Sequence, residues 1–217
     1  MNHSKAMFGI SVFKRGITRN VIAEITKYMH DNFADCMVIL VDLPEAHNWF
    51  LRGRDSRQHA LEIVKKHGEL RVKSVQKALR RNGISMPVHT WDLLVGDAGY
   101  QQNLTSICDY YNQNKKFQNE VKSKLLEYLS ENIREAELRH GRKLTAEELD
   151  ESAHFLLEEI AGLSHLHFGL GYNVDIYPDT NNVLVDDIFK GKAFQDLGNK
   201  LGVKPSSYKY IHLPVAI

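Results

Sequence analysis

The run Ala6-Met7-Phe8-Gly9-Ile10 leads to a single hydroxyl, Ser11, then to the turn Val12-Phe13-Lys14-Arg15-Gly16, before a helical pattern opens near Ile17. A serine in that position could act as a nucleophile. In open α/β sheets the carboxyl end of a strand, just ahead of a helix, is where backbone donors converge on a ligand. On local pattern alone such a serine is most often only an ordinary turn or capping residue.

Three other segments carry groups of the right type. Thr145-Ala146-Glu147-Glu148 fits a capping box, and the helix it opens runs to about Leu163. Its apolar stripe of Leu149, Ala153, Leu156, Ile160 and Leu163 leaves Phe155, Glu159 and Gly162 along one flank. Glu159 therefore borders the core. There it could hold a substrate ammonium in a partly desolvated cleft, or pair with a surface lysine as single glutamates commonly do. The run 172–177 reads as a strand ended by Pro178, with Asp175 and Tyr177 on one face by alternation. That phenol could relay a hydrogen bond to a nearby hydroxyl, or simply pack.

The third segment, 61–81, is basic along one side. At about 100° per residue Lys66, Lys73, Lys77, Arg80 and Arg81 fall together, opposite Leu61, Val64, Val72, Val75 and Leu79. Such a stripe suits a phosphate backbone, although a lysine stripe is also what a solvated helix face looks like. Within 66–81 only Glu69 interrupts it.

These groups need a scaffold to position them. Apolar, β-rich runs at 6–10, 36–41, 89–94, 172–177 and 208–213 alternate with helical patterns near 17–33, 56–82, 100–112, 116–140, 145–163 and 190–201. The unbroken apolar run Met37–Val41 is what a parallel strand buried on both faces requires. The expectation is an α/β fold: one Rossmann-like domain over residues 1–217, with a mostly parallel central sheet flanked by helices. At 217 residues and 43% hydrophobic content, with no Pro-, Gly- or Ser-rich linker, the chain suits one core. A formal net charge of +1 excludes a globally basic nucleic-acid binder, so any such contact must be local. Cys36 and Cys108 form neither a metal cluster nor a disulfide framework. With no membrane span and no secretory signal in the sequence, a cytoplasmic protein is expected.

Taken in order, Phe8-Gly9-Ile10-Ser11, Asp42-Leu43-Pro44-Glu45-Ala46-His47, the basic helix, Phe155-Leu156-Leu157-Glu158-Glu159 and Tyr177-Pro178 resemble the cyclodipeptide synthases. These enzymes join the amino acids of two aminoacyl-tRNAs into a diketopiperazine. Lys14, Tyr177 and Pro178 stand where one subfamily carries any residue, Tyr and Pro, so the chain looks like that X-Tyr-Pro type. The resemblance implies a domain similar to the catalytic domain of class I tyrosyl- and tryptophanyl-tRNA synthetases. The chain has no His-Ile-Gly-His or Lys-Met-Ser-Lys-Ser motif, which argues against ATP-dependent activation.

The implied chemistry is acyl transfer. The ester of a charged tRNA is already activated, so the enzyme supplies a nucleophile, positioning and proton transfer, with neither ATP nor metal. Ser11 would take the first aminoacyl group, a second aminoacyl-tRNA would extend it to a dipeptidyl-enzyme, and ring closure would expel the serine. By the same resemblance Gly9 leaves room beside Ser11, Glu159 holds the aminoacyl ammonium, Tyr177 relays protons, and Pro178 shapes the strand end. The rail of Lys66, Lys73, Lys77, Arg80 and Arg81 would bind tRNA.

Phe155 departs from the tyrosine usual in the family and removes a hydrogen bond to the amine, which leaves Glu159 alone, His154 or a water to serve. Asp175 is expected to make one amino-acid pocket polar. The expected partners are two aminoacyl-tRNAs per product, with no DNA or membrane, and the expected state is a monomer. A non-catalytic RNA-binding module and a small Rossmann-like hydrolase are the other classes in play. No Gly-x-Ser-x-Gly elbow or Gly-x-Gly-x-x-Gly loop favours the last.

Overall fold

In β2 (Phe33–Val41), Met37, Ile39 and Val41 enter one packed layer while Cys36, Val38 and Leu40 enter the other. This is why the run is apolar without a break: the strand lies inside a sheet covered on both faces, paired on each side. A computed structural model of the chain describes residues 2–14, 16–51, 56–128, 133–134, 137–138, 141–178 and 183–214. β2 pairs in parallel with β1 (Asn2–Ser11), bringing Ser11 level with Val41. β3 (Val88–Thr90), β4 (Val174–Tyr177) and β5 (Lys209–His212) complete a wholly parallel five-stranded sheet of order β3-β2-β1-β4-β5.

That order places the site. The chain works outward from β1 to β3 and then crosses back to add β4 on the other side of β1. The direction of winding therefore reverses between β1 and β4, and the crevice at such a switch point opens at the carboxyl ends of the strands. Ser11 ends β1 and Tyr177 ends β4.

Helices cover both faces. α1 (Arg19–Asn32) and α3 (Arg57–Arg81) pack Val21, Ile25, Met29, Val75 and Leu79 against one. α5 (Ala98–Gln113), α6 (Lys115–Tyr128), α7 (Ala146–Ser164), α8 (Val183–Phe189) and α9 (Gln195–Lys200) cover the other. Two short helices, α2 (Glu45–Leu51) and α4 (Asp92–Val95), follow the carboxyl ends of β2 and β3. The capping box of α7 forms as its sequence demands: Thr145 accepts from the Glu148 amide at 3.3 Å, and Glu148 accepts from the Thr145 amide at 2.7 Å. Among the described residues no helix is long and apolar enough to cross a membrane.

The structure corrects three expectations and adds one helix. The strand expected at 89–94 stops at Thr90, because the Trp91 amide donates to Asp42 Oδ1 (2.9 Å) and the chain winds at once into α4. The helix expected at 190–201 is only α9, and α8 precedes it; Gly191, at φ +67°, ends α8 in the left-handed conformation that glycine accepts most readily. The helix expected over 116–140 ends at Tyr128, and part of the remaining range lies outside the described residues. The added helix is α2, which shows no periodic pattern in the residues. It starts with the Glu45, Ala46 and His47 amides donating to the Asp42, Leu43 and Pro44 carbonyls, and Pro44, lacking an N–H, suits a first turn.

α7 lies so close to Trp91 that a Cβ at Gly162 would run into the indole. Gly162→Val should therefore destabilise the fold by about 1–3 kcal/mol through overpacking. A melting curve would show this, and an unchanged midpoint would mean that Trp91 can move aside.

Candidate active site

Ser11 Oγ donates a hydrogen bond to Glu45 Oε1. Glu45 is the first residue of α2 and is 8% exposed. Its other oxygen accepts from Asn48 Nδ2 at 3.1 Å, and Asn48 Oδ1 accepts from Ser152 Oγ of α7 at 2.8 Å. A buried chain of polar groups thus runs from α7 through α2 to the hydroxyl at the end of β1. The side chain that the structure sets against the Ser11 hydroxyl is thus a glutamate from the segment that follows β2.

The neighbouring residue of α2 anchors that helix. His47 lies between two glutamates of α7, with Nδ1 2.8 Å from Glu151 and Nε2 2.9 Å from Glu158. A ring that donates from both nitrogens is an imidazolium. Burial opposes the charge, but the bonds and charges of Glu158 and Glu151 outweigh it and raise the His47 pKa above its usual range. His154 stacks on His47 at 5.6 Å.

Glu159 projects from the same helix and is half-buried. Burial, with the like charges of Glu45 and Asp175, pushes its pKa up to about 8, and Lys14 only partly offsets this. Asp175, 7% exposed on β4, is itself pushed up to about 7, chiefly by burial and further by Asp186, while a bond from the Ile176 amide works the other way. Lys14 holds its ammonium 5.0 Å over the Tyr177 ring. The expected residues Ser11, Lys14, Glu159, Asp175 and Tyr177 thus share one electrostatic neighbourhood. Gly9 lies one residue-pair back from Ser11 on the same face, and a Cβ there would find only Met7 Cε, at 4.0 Å, so its missing side chain leaves space beside the serine.

One detail differs from the sequence reading. Val174 and Ile176 join the layer beneath α1 and α3, as alternation requires, but Tyr177 also packs against that layer, edge-on to Phe8 at 6.0 Å. It therefore does not share a face with Asp175. Phe155 packs as a partly buried hydrocarbon against the opposite layer. Pro178 follows directly on β4, and its carbonyl lies 3.2 Å from His212 Nε2.

The basic rail is exposed. Lys66, Lys73, Lys77, Arg80 and Arg81 all face solvent from α3, whose buried side is Ala60, Val64, Gly68, Val75, Ala78 and Leu79. From the inner side of the same helix Arg71 donates to the carbonyls of Lys14 and Ile17, both at 2.9 Å. The rail is therefore fastened to the turn that follows the serine. Charge patterning gave no hint of Arg71, because an inward arginine looks like one more member of the stripe. Among the described residues no group of three or more His, Cys, Asp or Glu side chains is placed to hold a metal ion.

A parallel sheet of this order, with a serine and a carboxylate cluster at its switch point, is the setting in which the comparisons with known proteins fall. A model of the cyclodipeptide synthase family matches residues 2–161, and the chain belongs to that family. Its fold is similar to that of a cyclodipeptide synthase from Bacillus thermoamylovorans (TM-score 0.74, 20% identity, covering 97% of this chain and 88% of that one). It is also similar to the cyclodipeptide synthase of Candidatus Glomeribacter gigasporarum bound to Phe-tRNAPhe (TM-score 0.69, 17% identity, 97% and 88%). A third likeness is to a Mycobacterium tuberculosis protein whose structure relates cyclodipeptide synthetases to type I tRNA synthetases (TM-score 0.65, 13% identity, 84% and 76%). No curated protein matches the chain in sequence.

The raised pKa of Glu159 has a sign that can be tested. In the unfolded chain its carboxyl ionises near 4.5, whereas the folded protein keeps the proton to about 8. Between those values the folded state binds more protons, so stability falls as pH rises and levels off above 8. Asp175 acts in the same sense. Glu159→Gln should remove that slope, at most about 1.4 kcal/mol per pH unit and less because the group keeps some contact with solvent. The variant should therefore melt higher than wild type at pH 8, with the gain shrinking toward pH 5. A variant that melts lower at pH 8 would show that the ionised carboxylate is held by favourable partners.

Proposed function

We propose that this chain joins two aminoacyl groups, delivered as tRNA esters, into a cyclic dipeptide by way of a covalent intermediate on Ser11. The observation that carries the reading is the Ser11 hydroxyl, presented at the carboxyl end of β1 beside the switch point and hydrogen-bonded to a carboxylate of a three-carboxylate cluster. The relative whose structure includes Phe-tRNAPhe supports aminoacyl-tRNA as the substrate class.

In this mechanism Ser11 attacks the first ester, and the tRNA leaves. For the dipeptide to remain on the enzyme, the free amine of the serine-bound residue must attack the second ester. The terminal amine of the dipeptide then attacks the seryl ester, closing the ring and releasing Ser11. Esters of tRNA carry the necessary energy, so the reaction calls for neither ATP nor a metal. Glu159 holds the ammonium of the first residue and becomes ionised as that cation arrives. Lys14, Tyr177 and Pro178 support reading the chain as the X-Tyr-Pro type, with Tyr177 held by Phe8 and Lys14 to guide proton movement near the serine. Phe155 shapes the pocket as hydrocarbon, and Asp175 makes part of it polar. The protein works as a cytoplasmic monomer.

Incubation with a pool of charged tRNAs, without added ATP, should yield cyclic dipeptides detectable by mass spectrometry. RNase treatment beforehand or Ser11→Ala should abolish them, and Asp175→Leu should change which dipeptides form. Product from Ser11→Ala at the wild-type rate would end the covalent reading. Reversing Lys73, Lys77 and Arg80 to glutamate should weaken tRNA binding steeply, at least tenfold, and flatten its dependence on salt, because fewer counterions are released. Equal affinity for the two proteins would remove the rail from the interface.

A further inference from the structure

We infer that Glu45 is a catalytic residue: its carboxylate takes the Ser11 hydroxyl proton as the serine is acylated, held in place by Asn48 and Ser152. This rests on the reading of Ser11 as the acyl acceptor.

The geometry favours a base over a structural contact. One Glu45 oxygen accepts the Ser11 hydroxyl, and the other is fixed by the Asn48 amide at 3.1 Å. The amide has no freedom to flip, since its oxygen accepts the buried Ser152 hydroxyl at 2.8 Å. Asn48 is 4% exposed and Ser152 is fully buried, so the orienting groups are shielded from competing water. A nucleophile bonded to a base that a third group orients is the arrangement acyl transfer needs. The helix carrying Glu45 is in turn clamped to α7 by His47 between Glu151 and Glu158. Glu159 suits the role less well, because with its pKa pushed up to about 8 it holds a proton at neutral pH before substrate arrives.

The step balances. Oγ bonds to the ester carbonyl carbon, its proton passes to Glu45, the carbon–oxygen bond to the ribose breaks, and the same proton goes to the departing ribose oxygen. In ring closure Glu45 takes a proton from the attacking amine and returns one to Oγ as the C–Oγ bond breaks.

The test follows acylation of Ser11 by intact mass in a single turnover, with a pool of charged tRNAs at saturating concentration. Glu45→Gln keeps the shape and a hydrogen bond to Oγ but cannot take the proton. It should slow acylation by about 10²-fold or more, with tRNA affinity and melting temperature close to wild type. Asn48→Ala should slow it less, and formate should speed acylation of Glu45→Ala while leaving Ser11→Ala inert. Acylation of Glu45→Gln at the wild-type rate would overturn this assignment alone. Absence of any acyl mass on wild type would overturn the reading of Ser11, and this assignment with it.

Discussion

Like charges crowded at the edge of a low-dielectric core are the feature on which the rest of the site turns. Glu45, Glu159 and Asp175 approach one another at the carboxyl end of the sheet, and Lys14 only partly offsets them. Bringing carboxylates together in a partly dry cleft costs stability, which is why two of them hold protons well above their ordinary range. An incoming ammonium reverses that cost. The same crowding that weakens the empty protein strengthens its hold on a cationic substrate group, in line with the tendency of strongly shifted carboxyls to mark functional clefts.

The scaffold keeps that arrangement open and aimed. Winding reverses between β1 and β4, so the ends of those strands border the crevice of the switch point. α7 contributes Glu159 directly and holds α2 through two independent links, the His47 clamp and the Ser152–Asn48 bond. On the other side of the sheet Arg71 ties the turn after Ser11 to α3. The helix proposed to meet the nucleic acid and the turn next to the proposed nucleophile are therefore one mechanical unit.

Much of this was legible in the residues. The unbroken apolar run of β2, the strand-turn-helix around Ser11, the capping box of α7 and the outward face of α3 all follow from local periodicity and capping chemistry, and the structure contains each of them. What escaped was set by contacts distant in sequence. α2 has only seven residues, too few for a periodic pattern to emerge, so the partner of Ser11, which lies 34 residues away, was hidden with it. β3 was cut short by the side chain of Asp42, 49 residues before the amide it captures. The ring of Tyr177 left the face that alternation assigns it to rest against Phe8, at the last residue of its strand.

The most direct test of the account is the location of the acyl group. Wild-type protein quenched within a turnover of mixing with charged tRNA, digested and read by tandem mass spectrometry should carry one aminoacyl mass on the oxygen of Ser11. An acyl group mapped to another side chain such as Lys14, or cyclic dipeptide forming while Ser11 stays unmodified, would contradict it.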